Sequence, residues 1–161
     1  MDIANVVADC PSYPSLLAIS ASNYLLSYAN EDTDSSTLQL VQVSSTSTGM
    51  AGKIISTLQS KYYIYAMELL PDSDGAFVAI CQDTSTNDET AYVVVGRANP
   101  SGPTITIYDS SAVLYAQTYS VNPTIVALSS NSFMIGYYND PAKLFVAYGK
   151  AIFCRLIRFQ R

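Results

Sequence analysis

The fold of this chain is indicated most clearly by one stretch, Phe77-Val78-Ala79-Ile80-Cys81-Gln82-Asp83. Its Phe, Val and Ile residues are typical of a β-strand. In an extended chain, one side of the strand carries Phe77, Ala79 and Cys81, and the other side carries Val78 and Ile80. A strand from a sheet with one wet face would alternate apolar and polar residues, so we expect both faces of this sheet to be covered.

The same pattern occurs three times along the chain. Tyr24, Phe77 and Phe133 begin equivalent apolar strands at intervals of roughly 50 residues. The ends of the strands that follow recur in the same register, at Val43, Gly96 and Gly149. Three copies in register predict a repeat protein, and we expect a single repeat domain over residues 1–161. Its units are placed at approximately 13–61, 62–120 and 121–161.

Each unit is predicted to hold four strands, separated by clusters of Ser, Asn, Asp, Gly and Pro. In the second unit the strands are 67–70, 77–83, 91–96 and 104–108, the last continuing outward over 112–115. The segment 51–70 also fits an amphipathic helix, because its apolar residues fall near one helical face. We favour strands there, since the neighbouring segments of the other copies cannot be helical.

The third unit carries a pattern that resembles a known family. Val126 to Asp140 reads Val-Ala-Leu-Ser-Ser-Asn-Ser-Phe-Met-Ile-Gly-Tyr-Tyr-Asn-Asp, and an apolar strand ending in glycine follows at Leu144 to Gly149. This arrangement resembles the repeats of extracellular β-propeller arrays, and the likeness covers about residues 13–161. It implies an all-β, β-propeller-like fold of three four-stranded antiparallel blades. A β-sandwich or a β-solenoid is the alternative, because each can also cover both faces of its sheets.

The resemblance does not extend to one subfamily. The chain lacks a Trp-Asp pair, the Gly-Gly of kelch blades and a full Asp-rich loop. No subfamily's activity is therefore carried over to this sequence.

Three blades are too few for a closed ring, since propellers have about four to eight. Such a unit leaves strand edges and sheet faces uncovered at both ends, which is an aggregation hazard for a monomer. We therefore expect a homo-oligomer or an assembly partner, as a two-chain ring, a stack or a filament. The expected function is that of a structural or protein-interaction subunit that self-associates through blade edges and faces.

Composition argues against several function classes. The chain has no histidine, the commonest general base and metal ligand, so we assign no catalytic residue, metal or cofactor and predict that it is not an enzyme. Its net charge of −5 comes from 13 acidic and 8 basic residues, which argues against nucleic-acid binding. No apolar run approaches the roughly 18 residues of a membrane span, and no signal peptide is visible. A surface low in charge and rich in hydroxyl groups favours an extracellular or cell-surface location.

Three cysteines are present, without the spacing of a zinc site. Cys81 lies within an apolar strand and is expected to be a buried small hydrophobe. Cys10 and Cys154 lie near opposite ends of the sequence. They form either a disulfide that holds the two ends together or two separate thiols, and both alternatives stay open.

Acidic residues in turns are the first candidates for a site. Asp72 and Asp74 lie in a loop similar to a calcium loop, but no terminal carboxylate completes the ligand set, so we favour a turn. Asp83 and Asp140 occupy matching strand ends in two units. Their repetition favours a role in turns over a catalytic pair of carboxylates.

Tyrosine is unusually frequent, with 13 copies and no tryptophan. Aromatic faces and hydroxyl groups can bind saccharides, so a carbohydrate-binding, lectin-like propeller is the alternative function. Tyr24, Tyr28 and Tyr137 occupy positions expected in the core. Six others are expected to be accessible to a glycan or a protein partner: Tyr62, Tyr63, Tyr108, Tyr115, Tyr119 and Tyr138.

Overall fold

The structure, a computed structural model, describes residues 12–30, 33, 35–83, 91–116, 120–139, 143–151 and 158–160. All regular secondary structure in these residues is β-strand, and none of it is helical, so the all-β prediction is confirmed. Cys10, Cys154, Tyr119 and Asp140 lie outside the described residues. What the sequence predicts for these four residues stays a prediction.

The strands follow one another with short connections. In chain order they are β1 Ser12–Ala18, β2 Asn23–Asn30, β3 Ser35–Thr46, β4 Gly49–Ser60, β5 Tyr62–Leu69, β6 Ala76–Asp83, β7 Ala91–Asn99, β8 Thr104–Ala116, β9 Ser120–Ser129, β10 Ser132–Asn139, β11 Lys143–Lys150 and β12 Arg158–Gln160. Within the segment 51–70, residues 51–60 belong to β4 and residues 62–69 to β5. The strand prediction for that segment is therefore confirmed.

The strands form three antiparallel sheets in which neighbours in sequence are also neighbours in space. The first sheet has the order β1-β2-β3-β4 and the second β5-β6-β7-β8. The third contains β9, β10 and β11, with the three-residue β12 paired to the outside of β11. The sheets lie within 12–60, 62–116 and 120–160, the segments where the sequence places its three units. That these three sheets are the blades of a single repeat domain stays a prediction.

The turn between β5 and β6 requires a glycine. Asp72, Asp74 and Gly75 have φ angles of 52°, 53° and 77°, in the left-handed region that favours glycine. Ala98 N donates a hydrogen bond to Gly75 O at 2.9 Å, which ties the turn to the end of β7. A Cβ atom on Gly75 would lie 2.1 Å from Ala98 O, so a side chain cannot be placed there without moving the backbone.

The second sheet is covered on both faces, as its central strand predicts. On one side, Phe77, Ala79 and Cys81 pack in a core with side chains of the first sheet, among them Leu25, Leu38 and Leu40. On the other side, Val78 and Ile80 pack in a second core with side chains of the third sheet, among them Phe133, Ile135 and Tyr137. The five β6 side chains from Phe77 to Cys81 are all completely buried. Burial of this kind is the main favourable contribution to folding.

Each sheet pairs a strand-opening aromatic residue with a fixed partner on the next strand. Phe77 pairs with Gly96, and Phe133 with Gly149. A Cβ atom on either glycine would lie 2.2–2.4 Å from the paired phenylalanine ring, so the ring occupies the space above the glycine. In the first sheet, Tyr24 pairs with Val41. Matching Val43 to the two glycines from sequence spacing is therefore wrong, because the register places Val41 at that position.

The first and second sheets are connected through a single residue and two buried serine hydroxyl groups. Tyr62 N donates to Ser60 Oγ at 3.0 Å, where the chain passes from β4 to β5. Ile64 N donates to Ser36 Oγ at 2.8 Å, from the second sheet to the first. Both bonds satisfy buried backbone N–H groups that have no strand neighbour on that side. They fix where β5 lies against β3.

Candidate interaction surfaces

The three sheets are stacked in one direction, and two terms describe their faces. The leading face of a sheet carries Tyr24, Phe77 or Phe133, and the trailing face carries the residue that follows each of these, Leu25, Val78 or Met134. The leading face of the second sheet packs on the trailing face of the first, and the leading face of the third packs on the trailing face of the second. The leading face of the first sheet and the trailing face of the third are left at the ends of the stack.

The trailing face of the third sheet is apolar and exposed. Its side chains come from three strands, and their exposed fractions are 50% for Val126, 49% for Leu128, 48% for Tyr138, 64% for Leu144 and 59% for Val146. Val126 pairs with Met134, and Leu144 with Tyr138, so these side chains lie next to one another across the strands. None of the five carries a charge. A continuous exposed apolar surface of this kind is typical of an interaction site.

The exposed trailing face of the third sheet has a buried counterpart, the trailing face of the second sheet. Val146 pairs with Gly136 in the third sheet, and Val93 pairs with Ile80 in the second. Because Gly136 and Ile80 follow Phe133 and Phe77 by the same three positions, Val146 and Val93 occupy equivalent sites. Val93 is completely buried against the third sheet. The trailing face of the third sheet therefore differs from its counterpart by having no described sheet packed on it.

The leading face of the first sheet is more polar. Leu16 is 63% exposed and pairs with the half-buried Leu26. Gln39, the partner of Leu26 on the other side, is only 8% exposed, and its Nε2 donates to the hydroxyl of Tyr28 at 3.4 Å. Its Oε1 accepts no hydrogen bond from any described residue. An amide oxygen buried without a hydrogen-bond partner costs stability.

Two of the six tyrosines expected to be accessible are buried. Tyr62 is 2% exposed and Tyr63 8%, so the expectation of access is wrong for both. Tyr62 lies in the core between the first and second sheets, with Lys61 Nζ 4.9 Å from its ring centre. Both residues follow directly on the connection from β4 to β5. This connection places Tyr62 against the first sheet, whereas Tyr63, the partner of Gln82, lies on the other side of β5. The sequence pattern gave no sign that β5 begins so soon after β4.

Tyr63 belongs to an aromatic cluster that the sequence pattern does not predict. Its ring centre lies 5.9 Å from that of Tyr13 and 5.3 Å from that of Tyr65. Tyr13 and Tyr65 are 5.3 Å apart in an edge-to-face arrangement, and the Tyr65 hydroxyl donates to Gln82 Oε1 at 2.7 Å. The cluster joins the first strand of the first sheet to the first strand of the second. Tyr13 is half exposed, which leaves one aromatic edge of the cluster open to solvent.

Of the other four tyrosines, the two whose side chains the structure describes lie on different sheets. Tyr108 is 40% exposed on β8, at the outer edge of the second sheet, and Tyr138 is 48% exposed on the trailing face of the third. The backbone of Tyr115 lies in β8, but its side chain and all of Tyr119 fall outside what the structure describes.

Three tyrosines expected in the core divide into two groups. Tyr137 is 9% exposed and stacks on Phe145 with ring centres 5.4 Å apart. Tyr24 and Tyr28 are half-buried on the leading face of the first sheet. Sequence alternation places these residues on a face but does not show whether a further sheet covers it.

The Asp72 loop is held by turn interactions. Ser73 Oγ donates to the carbonyl oxygens of Leu70 and Ala76, and Asp74 lies 4.0 Å from the Arg97 guanidinium. Among the described residues, no three acidic, cysteine or histidine side chains are grouped where they could hold a metal ion. Cys81 is completely buried between the first and second sheets, as expected from its position in an apolar strand.

Comparisons of the chain with protein-family models, with curated proteins and with solved structures find no match. The part of the chain that the structure describes contains no helix of the length and apolar character needed to cross a membrane.

Proposed function

We propose that this chain is a non-enzymatic structural or protein-interaction subunit, which self-associates through the end faces and edges of its sheets. In this proposal the three sheets are successive blades of a β-propeller-like array, and the assembly is an extracellular ring or filament. The proposal applies to the chain as a unit of a larger structure, in which each sheet is covered by the next.

The observation that carries the proposal is the exposed apolar trailing face of the third sheet. Its five side chains, from Val126 to Val146, are between 48% and 64% exposed, although the equivalent face of the second sheet is buried. Removing such a surface from water is favourable by about 25 cal/mol for each Å² buried. Because only one of these two equivalent faces is covered by another described sheet, burial of the second face is strongly favourable.

The non-enzymatic and extracellular parts of the proposal rest on composition. The absence of histidine removes the most frequent general base. Charged residues make up only 13% of the chain, and Ser and Thr are abundant. These features support a binding or structural role outside the cell over a catalytic one.

Native mass measured by light scattering after size exclusion, over a wide range of concentration, tests self-association. We expect species at multiples of the 17.4 kDa chain mass, increasing with concentration. The matched control is Ser101→Asp, a new charge in the exposed turn between β7 and β8, outside both end faces and the edge strands, which should assemble as the unmodified chain does. A chain that stays monomeric at every concentration overturns the proposal.

Carbohydrate binding is the second candidate, and the exposure of Tyr108 and Tyr138 favours it. Rings of this kind can stack on the apolar face of a sugar. A glycan array probed with the unmodified chain tests this function, and Tyr108→Ala and Tyr138→Ala should each reduce binding to any saccharide found. Absence of binding across the array, at protein concentrations that give assembly, rejects this candidate.

A further inference from the structure

The two contacts between sheets have the same direction. In both, the leading face of the later sheet packs on the trailing face of the earlier one, with Phe77 or Phe133 directed toward the preceding sheet. Within the described residues, no leading face packs on a leading face, and no trailing face on a trailing face. The chain therefore makes one type of interface twice, and each copy of that interface needs one face of each kind.

Among the described sheets, one face of each kind is left over. The leading face of the first sheet carries Leu16, Tyr24, Leu26 and Tyr28, and the trailing face of the third carries Val126, Leu144 and Val146. These are the two halves of the interface that the chain already makes inside itself. From this continuity with the internal contacts we infer that the occupant of the exposed trailing face is a second copy of this chain, docked head to tail through the leading face of its first sheet. The inference rests on the proposed self-association and adds its direction and its two surfaces.

The direction of docking determines the kind of assembly. A head-to-tail contact uses different surfaces on the two copies, so each added chain presents a fresh trailing face. Such assemblies grow until they close into a ring or continue as a filament. A contact between identical faces would stop at a dimer.

Two variants, each with one blocked face, test the inference. Leu16→Asp places a charge on the leading face and Val146→Asp on the trailing face, at positions that are 63% and 59% exposed and so tolerate substitution. Each variant alone should self-associate about a hundredfold more weakly than the unmodified chain, because the contact would bury an unpaired charge. An equimolar mixture should form a 1:1 complex that grows no further, since each variant keeps the one intact face that the other lacks.

The outcomes separate this inference from the proposed function. If the unmodified chain does not assemble, self-association itself is rejected. If it assembles, but Leu16→Asp alone assembles equally well or the mixture forms no 1:1 complex, head-to-tail docking is rejected while self-association stands. Circular dichroism melting curves check that both variants are folded, and Leu16→Ser with Leu144→Ser replaces the pair if either is not. Mass measurement of the mixture and of each variant alone gives the decisive reading.

Discussion

Val93 and Val146 are the same residue in equivalent places, and their surroundings differ. Both lie on trailing faces, Val93 opposite Ile80 and Val146 opposite Gly136. Val93 is completely buried, whereas Val146 is 59% exposed. The residues on their own strands are similarly apolar, so sequence alone does not separate them. What separates them is the presence of a third sheet over the second and the absence of a described fourth sheet over the third.

The largest expected difference comes from placing a charge at each of these two positions in turn. Val93→Asp should lower the free energy of unfolding by about 3–5 kcal/mol, because an unpaired carboxylate would be buried between two sheets. Val146→Asp should change it by less than about 0.5 kcal/mol when measured at concentrations where the chain is monomeric. Urea denaturation followed by tyrosine fluorescence measures both values.

Alanine variants guard against a Val93→Asp protein that does not fold. Val93→Ala should cost about 2 kcal/mol through loss of packing, and Val146→Ala almost nothing. Equal losses at the two positions in dilute solution would mean that Val146 is covered within the single chain. The comparison between the two trailing faces would then be wrong.

The second effect concerns the covered leading face. Gly96→Ala should cost about 1–3 kcal/mol, because the new methyl group would lie 2.2 Å from the tip of the buried Phe77 ring. At the leading face of the first sheet, on which no described sheet packs, the equivalent position is Val41, where a branched side chain is already accommodated beside Tyr24. Thermal melting of Gly96→Ala against the unmodified chain gives the measurement.

Gly52→Ala is the matched control for this substitution. Gly52 lies in the exposed strand β4, and the nearest atom to a Cβ there is Val41 Cγ1 at an ordinary 3.5 Å. Its effect on stability should be neutral or slightly favourable, since alanine restricts the unfolded chain more than glycine does. If Gly96→Ala were as well tolerated as Gly52→Ala, the ring would not need the space above the glycine.

The sequence predicts the strands better than it predicts their coverage. The two-sided apolar pattern of Phe77 to Cys81 indicates a covered sheet because both of its faces are apolar, and the structure covers both. The pattern of Phe133 to Tyr138 is equally two-sided, yet only one face of its sheet is covered by another described sheet. The alternation of residues along a strand shows to which face of the sheet each side chain points. Whether that face is covered depends on a different segment of the chain.

The tyrosines expected to be accessible show the same difference between what the sequence predicts and what it does not. Tyr138 is exposed as expected, whereas Tyr62 and Tyr63 are buried because β5 begins two residues after β4 ends. No local signal marks that the second sheet passes directly against the first at this point. The Tyr13, Tyr63 and Tyr65 cluster was likewise beyond prediction, since its members come from two sheets whose relative placement depends on Ser36 and Ser60.

The last comparison concerns two serines on the side of the first sheet that the second sheet covers. Ser36 and Ser27 are both completely buried, but only Ser36 Oγ bonds across the boundary, accepting from Ile64 N at 2.8 Å. Ser36→Ala leaves that N–H group buried without an acceptor and should cost about 1–3 kcal/mol. Ser27 Oγ has no hydrogen-bond partner among the described residues, so Ser27→Ala removes an unsatisfied group and should be neutral or up to about 1 kcal/mol more stable. Urea midpoints of the two variants, which delete the same atom from similar surroundings, compare them directly. A loss of stability for Ser27→Ala equal to that for Ser36→Ala would show that both hydroxyl groups are bonded, and that the boundary between the first two sheets contains more polar contacts than the Ser36 bond.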